Sequence, residues 1–124
     1  MFKTETKKHT PTACKASLAA VGDALYAIGG KWKLRIIIAL SEGEGCKRFN
    51  ELQRTVEGIS AKVLSNELKE LEMNGFVKRT VYAQTPVIVE YELTEYSQTL
   101  ENVLTSLREW GAMHRAHVQK KEMP

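Results

Sequence analysis

Two helical repeats lie so close together in this chain that only a sharp bend can join them. Phe49, Leu52 and Val56 recur at helical spacing, and after a break at Glu57-Gly58-Ile59 the period resumes with Ala61, Leu64, Leu68 and Leu71. Asn50, with Gln53 three residues on, is the expected cap of the first helix; Ser60 is that of the second, which Asn74-Gly75 closes. Helices joined by so short a turn cross steeply and make a helix-turn-helix. The buried stripe of the second leaves Lys62, Asn66, Lys69 and Met73 on its opposite side.

Upstream, Cys14, Leu18, Val21, Leu25 and Ile28 step alternately by four and three, one stripe on a first helix that Gly29-Gly30 ends. A second helix is expected from about Lys31 to Leu40, with Trp32, Ile36, Ile37 and Leu40 on one side, then a turn over Ser41–Gly45. Downstream the period changes to two. Val87, Val89, Tyr91 and Leu93 alternate with Ile88, Glu90 and Glu92, as in a half-buried strand. The β-forming run Phe76–Tyr82 precedes it, joined through a hairpin tip at Ala83–Pro86. Thr94 is the expected cap of a last helix reaching about Val118. Along it Leu100, Leu104, Leu107, Gly111, His114 and Val118 form a heptad seam, with Val103 and Trp110 beside it.

This order predicts an α+β, mostly helical fold: a winged helix-turn-helix domain with N- and C-terminal dimerisation helices. Residues 1–12 read as a flexible arm, 13–119 as the single domain and 120–124 as a tail. One small domain cannot cover both terminal stripes, so Leu18, Val21, Leu25, Leu100, Leu104 and Leu107 are expected between the subunits of a homodimer.

With 124 residues, 43% of them hydrophobic, the chain suits one domain with a real core. No apolar run approaches the roughly 20 residues of a membrane span, and the polar start with Lys3, Lys7 and Lys8 lacks a secretory signal. No membrane and a cytoplasmic location are therefore expected. Cys14 and Cys46 make no disulfide framework and have no metal-ligand spacing, as suits a reducing compartment. The net charge is +3, and residues 31–82 hold ten Lys/Arg against seven Glu, a balance that attracts phosphates.

In a helix-turn-helix the second helix enters the major groove of duplex DNA. The candidate contacts are Arg48 before the third helix; Ser60, Lys62, Val63, Ser65, Asn66 and Lys69 on the fourth; and Lys78, Arg79 and Tyr82 on the hairpin. Enzyme chemistry lacks a nucleophile–base pair or a supported carboxylate pair. Gly29-Gly30 has no strand leading into it and no Walker spacing, and His114 with His117 lacks a third metal ligand. No catalytic residue, cofactor or metal is expected. Trp32 and Trp110 read as core or interface aromatics. The competing reading is a winged-helix protein-interaction module, which would show no salt-dependent affinity for DNA.

The segment Ile28-Gly29-Gly30-Lys31-Trp32-Lys33 resembles the signature of the HxlR-type regulators, a branch close to the MarR winged helices. Further blocks resemble that family in colinear order. They are Lys47-Arg48-Phe49-Asn50-Glu51-Leu52, Gly58-Ile59-Ser60, Leu68-Lys69-Glu70-Leu71-Glu72, Gly75 to Tyr82, Val89 to Glu95 and Leu107-Arg108-Glu109-Trp110. The resemblance implies a winged-helix homodimer that binds operator DNA and dimerises through its terminal helices. Two departures stand out: Pro86-Val87-Ile88 replaces the family's Pro-Pro-Arg run in the wing, and Lys15 follows Cys14 where a proline is usual. In this family the first cysteine sometimes senses oxidants or electrophiles. Cys14 thus has two readings: a small hydrophobe that opens the first stripe, or a thiol sensor at a helix N-terminus capped by Thr12 and beside Lys15. Cys46 is expected to be structural.

Overall fold

The computed structural model describes residues 11–122. Its elements are α1 (Pro11–Ile28), α2 (Lys33–Ser41), β1 (Cys46–Arg48), α3 (Phe49–Thr55), α4 (Ala61–Met73), β2 (Val77–Tyr82), β3 (Ile88–Leu93), a 3-10 helix (Glu95–Leu100) and α5 (Glu101–Glu122). The core is the meeting point of α2, α3 and α4. Ile36, Ile37, Leu40, Leu52, Leu64, Leu68 and Leu71 are fully enclosed, joined by Val56 and Ile59 from the turn, Phe76 and Val77 from the start of the hairpin, and Leu100 and Leu104. Each such side chain removed from water contributes about 1.5–3 kcal/mol.

The helix-turn-helix forms as its residues dictate. The N–H of Val56 donates to the Leu52 carbonyl (2.9 Å) and that of Ile59 to the Val56 carbonyl (3.3 Å), while Gly58 supplies the left-handed φ of +89° that a side chain would resist. Ser60 caps α4, its hydroxyl accepting from the Val63 N–H at 3.2 Å, and the chain leaves the helix at Asn74. Gln53 reaches across the turn to the Ile59 carbonyl at 3.4 Å. Ala61, expected on the buried stripe, is exposed because α4 begins there, beyond the reach of α2.

The hairpin β2–β3 pairs antiparallel, with Val77 opposite Leu93 and Tyr82 opposite Ile88. The sheet has a third strand that the sequence does not announce: β1 pairs with the other edge of β3, with Cys46 opposite Glu92 and Arg48 opposite Glu90. This strand leads straight into α3, so Arg48 is the N-cap residue, with extended backbone and no side-chain cap bond, and Asn50 lies inside the helix rather than capping it. As the central strand, β3 is half-covered along its whole length instead of alternating in burial, and Val87 falls outside it.

The ends differ from expectation in register. Pro11 and Thr12 belong to α1, since a proline has no N–H to lose in a first turn, and Thr12 therefore does not cap the helix. Residues 1–10 of the expected arm lie outside the described residues. Residues 120–122 of the expected tail continue α5, and residues 123–124 lie outside the described residues. Thr94 caps the 3-10 helix, accepting from the Ser97 N–H at 3.3 Å, and only then does α5 begin. The heptad seam is split within α5, because the helix runs on past the end of the core. Leu100 and Leu104, expected in the dimer interface, are 7% and 9% exposed and close this chain's own core, whereas Leu107 is 47% exposed.

Nothing on α1 is buried within the chain: Leu18 is 68% and Leu25 63% exposed, and Val21 is exposed with them. Val103, Trp110, Met113 and Val118 are likewise exposed along α5. Trp110 stacks on His114, ring centroids 4.8 Å apart, and His114 faces His117 at 6.4 Å. No described helix is long and apolar enough to cross a membrane.

Candidate nucleic-acid interface

Helix α4 turns Leu64, Leu68 and Leu71 inward, so the 100° step of the helix sends Lys62, Ser65, Asn66, Lys69 and Met73 outward. Lys62, Asn66, Lys69 and Met73 are exposed and Ser65 half-exposed, as one row starting at the N-terminal end of the helix. Val63 does not belong to this row. It is half-buried against the core, because it stands one step from Leu64 on the inward side. Ser60 is exposed, with its hydroxyl engaged by the cap.

The pleat of the hairpin separates residues that look equivalent in sequence. Arg79 shares a cleft with Ser65, Lys69, Glu72 and Tyr91, which brings a wing cation alongside the outward row. Lys78 and Tyr82 lie on the opposite face, with Lys78 paired across to Glu92 and Tyr82 beside Glu90. Arg48 lies opposite Glu90 in the register. That face is acidic. The charge of Glu90, then partial burial and a hydrogen bond to Glu90, raises the Tyr82 phenol above its ordinary value. Glu90, followed by burial and by Glu92, Glu44 and Glu51, likewise raises the Cys46 thiol. Of the wing residues predicted to meet nucleic acid, only Arg79 is set beside α4.

Sequence reasoning missed Lys33. It is 7% exposed, and its Nζ lies 2.7 Å from a carboxylate oxygen of Glu67 and 2.7 Å from one of Glu70, both on α4. Burial alone would lower its pKa, but hydrogen bonds and charge from the two carboxylates outweigh that and hold it above the ordinary value. The partners stand 34 residues or more away in sequence, so no local pattern points to them. Lys47 is also buried, its Nζ donating to the Glu42 carbonyl at 2.6 Å, which closes the loop before β1. Cys14, whose place on the stripe argues for packing, is exposed in the first turns of α1, where none of the described elements covers it.

A helix-turn-helix followed directly by a two-stranded wing, with its second helix presenting a polar and basic row, defines a winged helix-turn-helix regulator of transcription. The chain belongs to the HxlR-like helix-turn-helix family, whose model matches residues 27–119. It is 46% identical over 95 residues to the HTH-type transcriptional regulator YtcD of Bacillus subtilis, covering 77% of this chain and 74% of YtcD. A crystal structure of a ytcD regulator superposes with a TM-score of 0.73, covering 77% of this chain and 96% of that one. The redox regulator HypR in its reduced form is 42% identical, with a TM-score of 0.70 over 82% of this chain and 98% of that chain. A MarR-family regulator from Enterococcus faecalis V583 is 38% identical, with a TM-score of 0.67 over 84% of this chain and 90% of its own.

Proposed function

We propose that this regulator works as a homodimer on a pseudo-palindromic operator in duplex DNA, in the cytoplasm and without enzymatic chemistry. The observation that carries this reading is the outward row Lys62, Ser65, Asn66 and Lys69 at the start of α4. Asn66 has the donor and acceptor needed to read adenine in the major groove, and the lysines reach guanine or phosphate. Arg79 adds a phosphate contact from the wing, while Lys78, Tyr82 and Arg48 stay with the acidic outer face. Dimerisation uses the stripe of α1 (Leu18, Val21, Leu25) with Leu107 and its neighbours on α5. An 18-residue helix with no buried residue is marginal in water without a partner. Two-fold symmetry then sets the two α4 helices about 34 Å apart, one turn of DNA.

The test is selection of duplexes from a random pool, followed by titration at several salt concentrations. The expected result is a palindromic site with half-sites one turn apart and an affinity that falls steeply with salt. A protein that selects no sequence and shows no salt-dependent affinity is the protein-interaction module instead. A thiol response is the proposed signal. Cys14 is exposed on the dimer helix, and the related HypR is a redox regulator. Modification of Cys14 should shift operator affinity; if Cys14→Ser behaves as wild type under oxidant, Cys14 is no sensor.

A further inference from the structure

We propose that Lys33 is a positioning residue, its buried ammonium gripping Glu67 and Glu70 together so that α4 is held at one rotation about its axis. The two ion pairs found among the described residues both belong to it, each 2.7 Å long. A single ion pair would let α4 swing about the contact. Two carboxylates three residues apart lie about 60° apart around the helix, so rotation in either direction stretches one of them. The apolar stripe of Leu64, Leu68 and Leu71 fixes which face of α4 turns inward, and the two directional contacts of Lys33 add a restraint on the angle at which it does so. The lysine is enclosed while its partners reach solvent, Glu67 being 22% and Glu70 56% exposed; such pairs contribute little net stability compared with apolar packing, and fixing one geometry is a use attested for ion pairs in some proteins.

The neighbouring residue holds the other end of the motif. The tip of the Trp32 ring lies over the turn, such that a Cβ at Gly58 would stand 3.9 Å from its Cη2, and Lys31 Nζ sits 4.7 Å above the same ring. Two consecutive side chains thus hold the helix-turn-helix, Trp32 at the turn that starts α4 and Lys33 midway along it. A rotation of α4 by a fraction of a turn would carry Asn66 off its base while leaving the lysines within reach of phosphate. The inference rests on the proposal that α4 reads DNA, and it assigns Lys33 to selectivity rather than to affinity.

Three variants test this against wild type: Lys33→Met, Lys33→Arg, and the triple variant Lys33→Met/Glu67→Met/Glu70→Gln, which removes the grip without leaving an unpaired charge. The readout is the ratio of affinities for the selected operator and a scrambled duplex, with the salt slope. Lys33→Met and the triple variant should lose about tenfold or more of that ratio, the size of one lost base contact. Their salt slopes should stay unchanged, and Lys33→Arg should retain most of the selectivity. A triple variant as stable and as selective as wild type overturns the proposal, since Lys33 then only fills space. Wild-type protein that selects no duplex overturns the DNA reading. Amide exchange then decides the grip: it should quicken along Leu64–Leu71 relative to α2 in the triple variant, and equal exchange overturns the positioning role.

Discussion

Helices α4 and α1 carry the same kind of apolar stripe and end up in opposite conditions. The 13 residues of α4 seal Leu64, Leu68 and Leu71 inside the chain, whereas the 18 residues of α1 seal none. Helical periodicity shows that a helix has an inner face but not which molecule that face meets. For α4 the answer is α2 and the start of the hairpin, supplied by the same chain; for α1, among the described residues, only its end at Ala27 and Ile28 packs against the core. Helix α5 combines both conditions, with Leu104 inside and Leu107 half-exposed a turn later.

The largest expected effect tests the sealed region. Leu64→Ala should lower unfolding stability by about 2–5 kcal/mol, measured by denaturant titration. In protein diluted until monomeric, Leu25→Ala should stay within about 0.5 kcal/mol. Equal losses would mean that α1 has a partner inside the chain. Next, Leu107→Glu should give monomers by sedimentation with the helical circular dichroism of the core retained. Operator affinity should fall about a hundredfold, as expected when two linked half-site contacts become one. Dimers that persist would move the interface elsewhere.

A smaller contrast lies between the two faces of the wing. Asn66→Ala should relax preference at one operator position by about 1–3 kcal/mol. Arg79→Ala should weaken all sequences alike and reduce the salt slope by about one, while Lys78→Ala leaves binding unchanged. If Lys78 matters as much as Arg79, the acidic face meets DNA after all. The smallest effect concerns the cysteines. Glu90 raises the Cys46 thiol, which lowers its thiolate fraction at neutral pH, and Cys46 is also less exposed than Cys14, so an alkylating reagent should label Cys14 first. Equal labelling rates would show that the acidic face does not protect Cys46.

What the sequence made legible was local. The stripe of α4, its Ser60 cap and the Asn74 end follow from neighbours within a turn or two, and the hairpin follows from its period of two. Strand β1 did not, because the three residues Cys46–Arg48 are too few to show a period and their partners come from β3. The split seam of α5 was hidden because the heptad runs unbroken from Leu100 to Val118, while the chain's own core ends at Leu104 and the helix runs on past it. Lys78 and Arg79 are both cations on a strand, and only the pleat and the place of α4 divide them. The grip of Lys33 joins segments that no short-range pattern links. The two stripes of the last helix suit packing on its own domain as well as on a second molecule; what the sequence could not show is that Leu100 and Leu104 fall on the side of the chain's own core.

Strand β1 also bears on the order in which the fold can assemble. Its residues are made before those of α3 and α4, yet the strand that pairs with it ends at Leu93. On the ribosome, α2, α3 and α4 emerge with all the apolar contacts of the helix-turn-helix available to them. The Cys46–Arg48 segment must meanwhile wait as an unpaired edge, since closing a long loop is slower than forming neighbouring helical contacts. The arrival of β3 zips both of its edges at once, to β1 and to β2. The wing is therefore the late event of folding, docked onto helices already in place, and slow refolding phases should report on the sheet rather than on the helices.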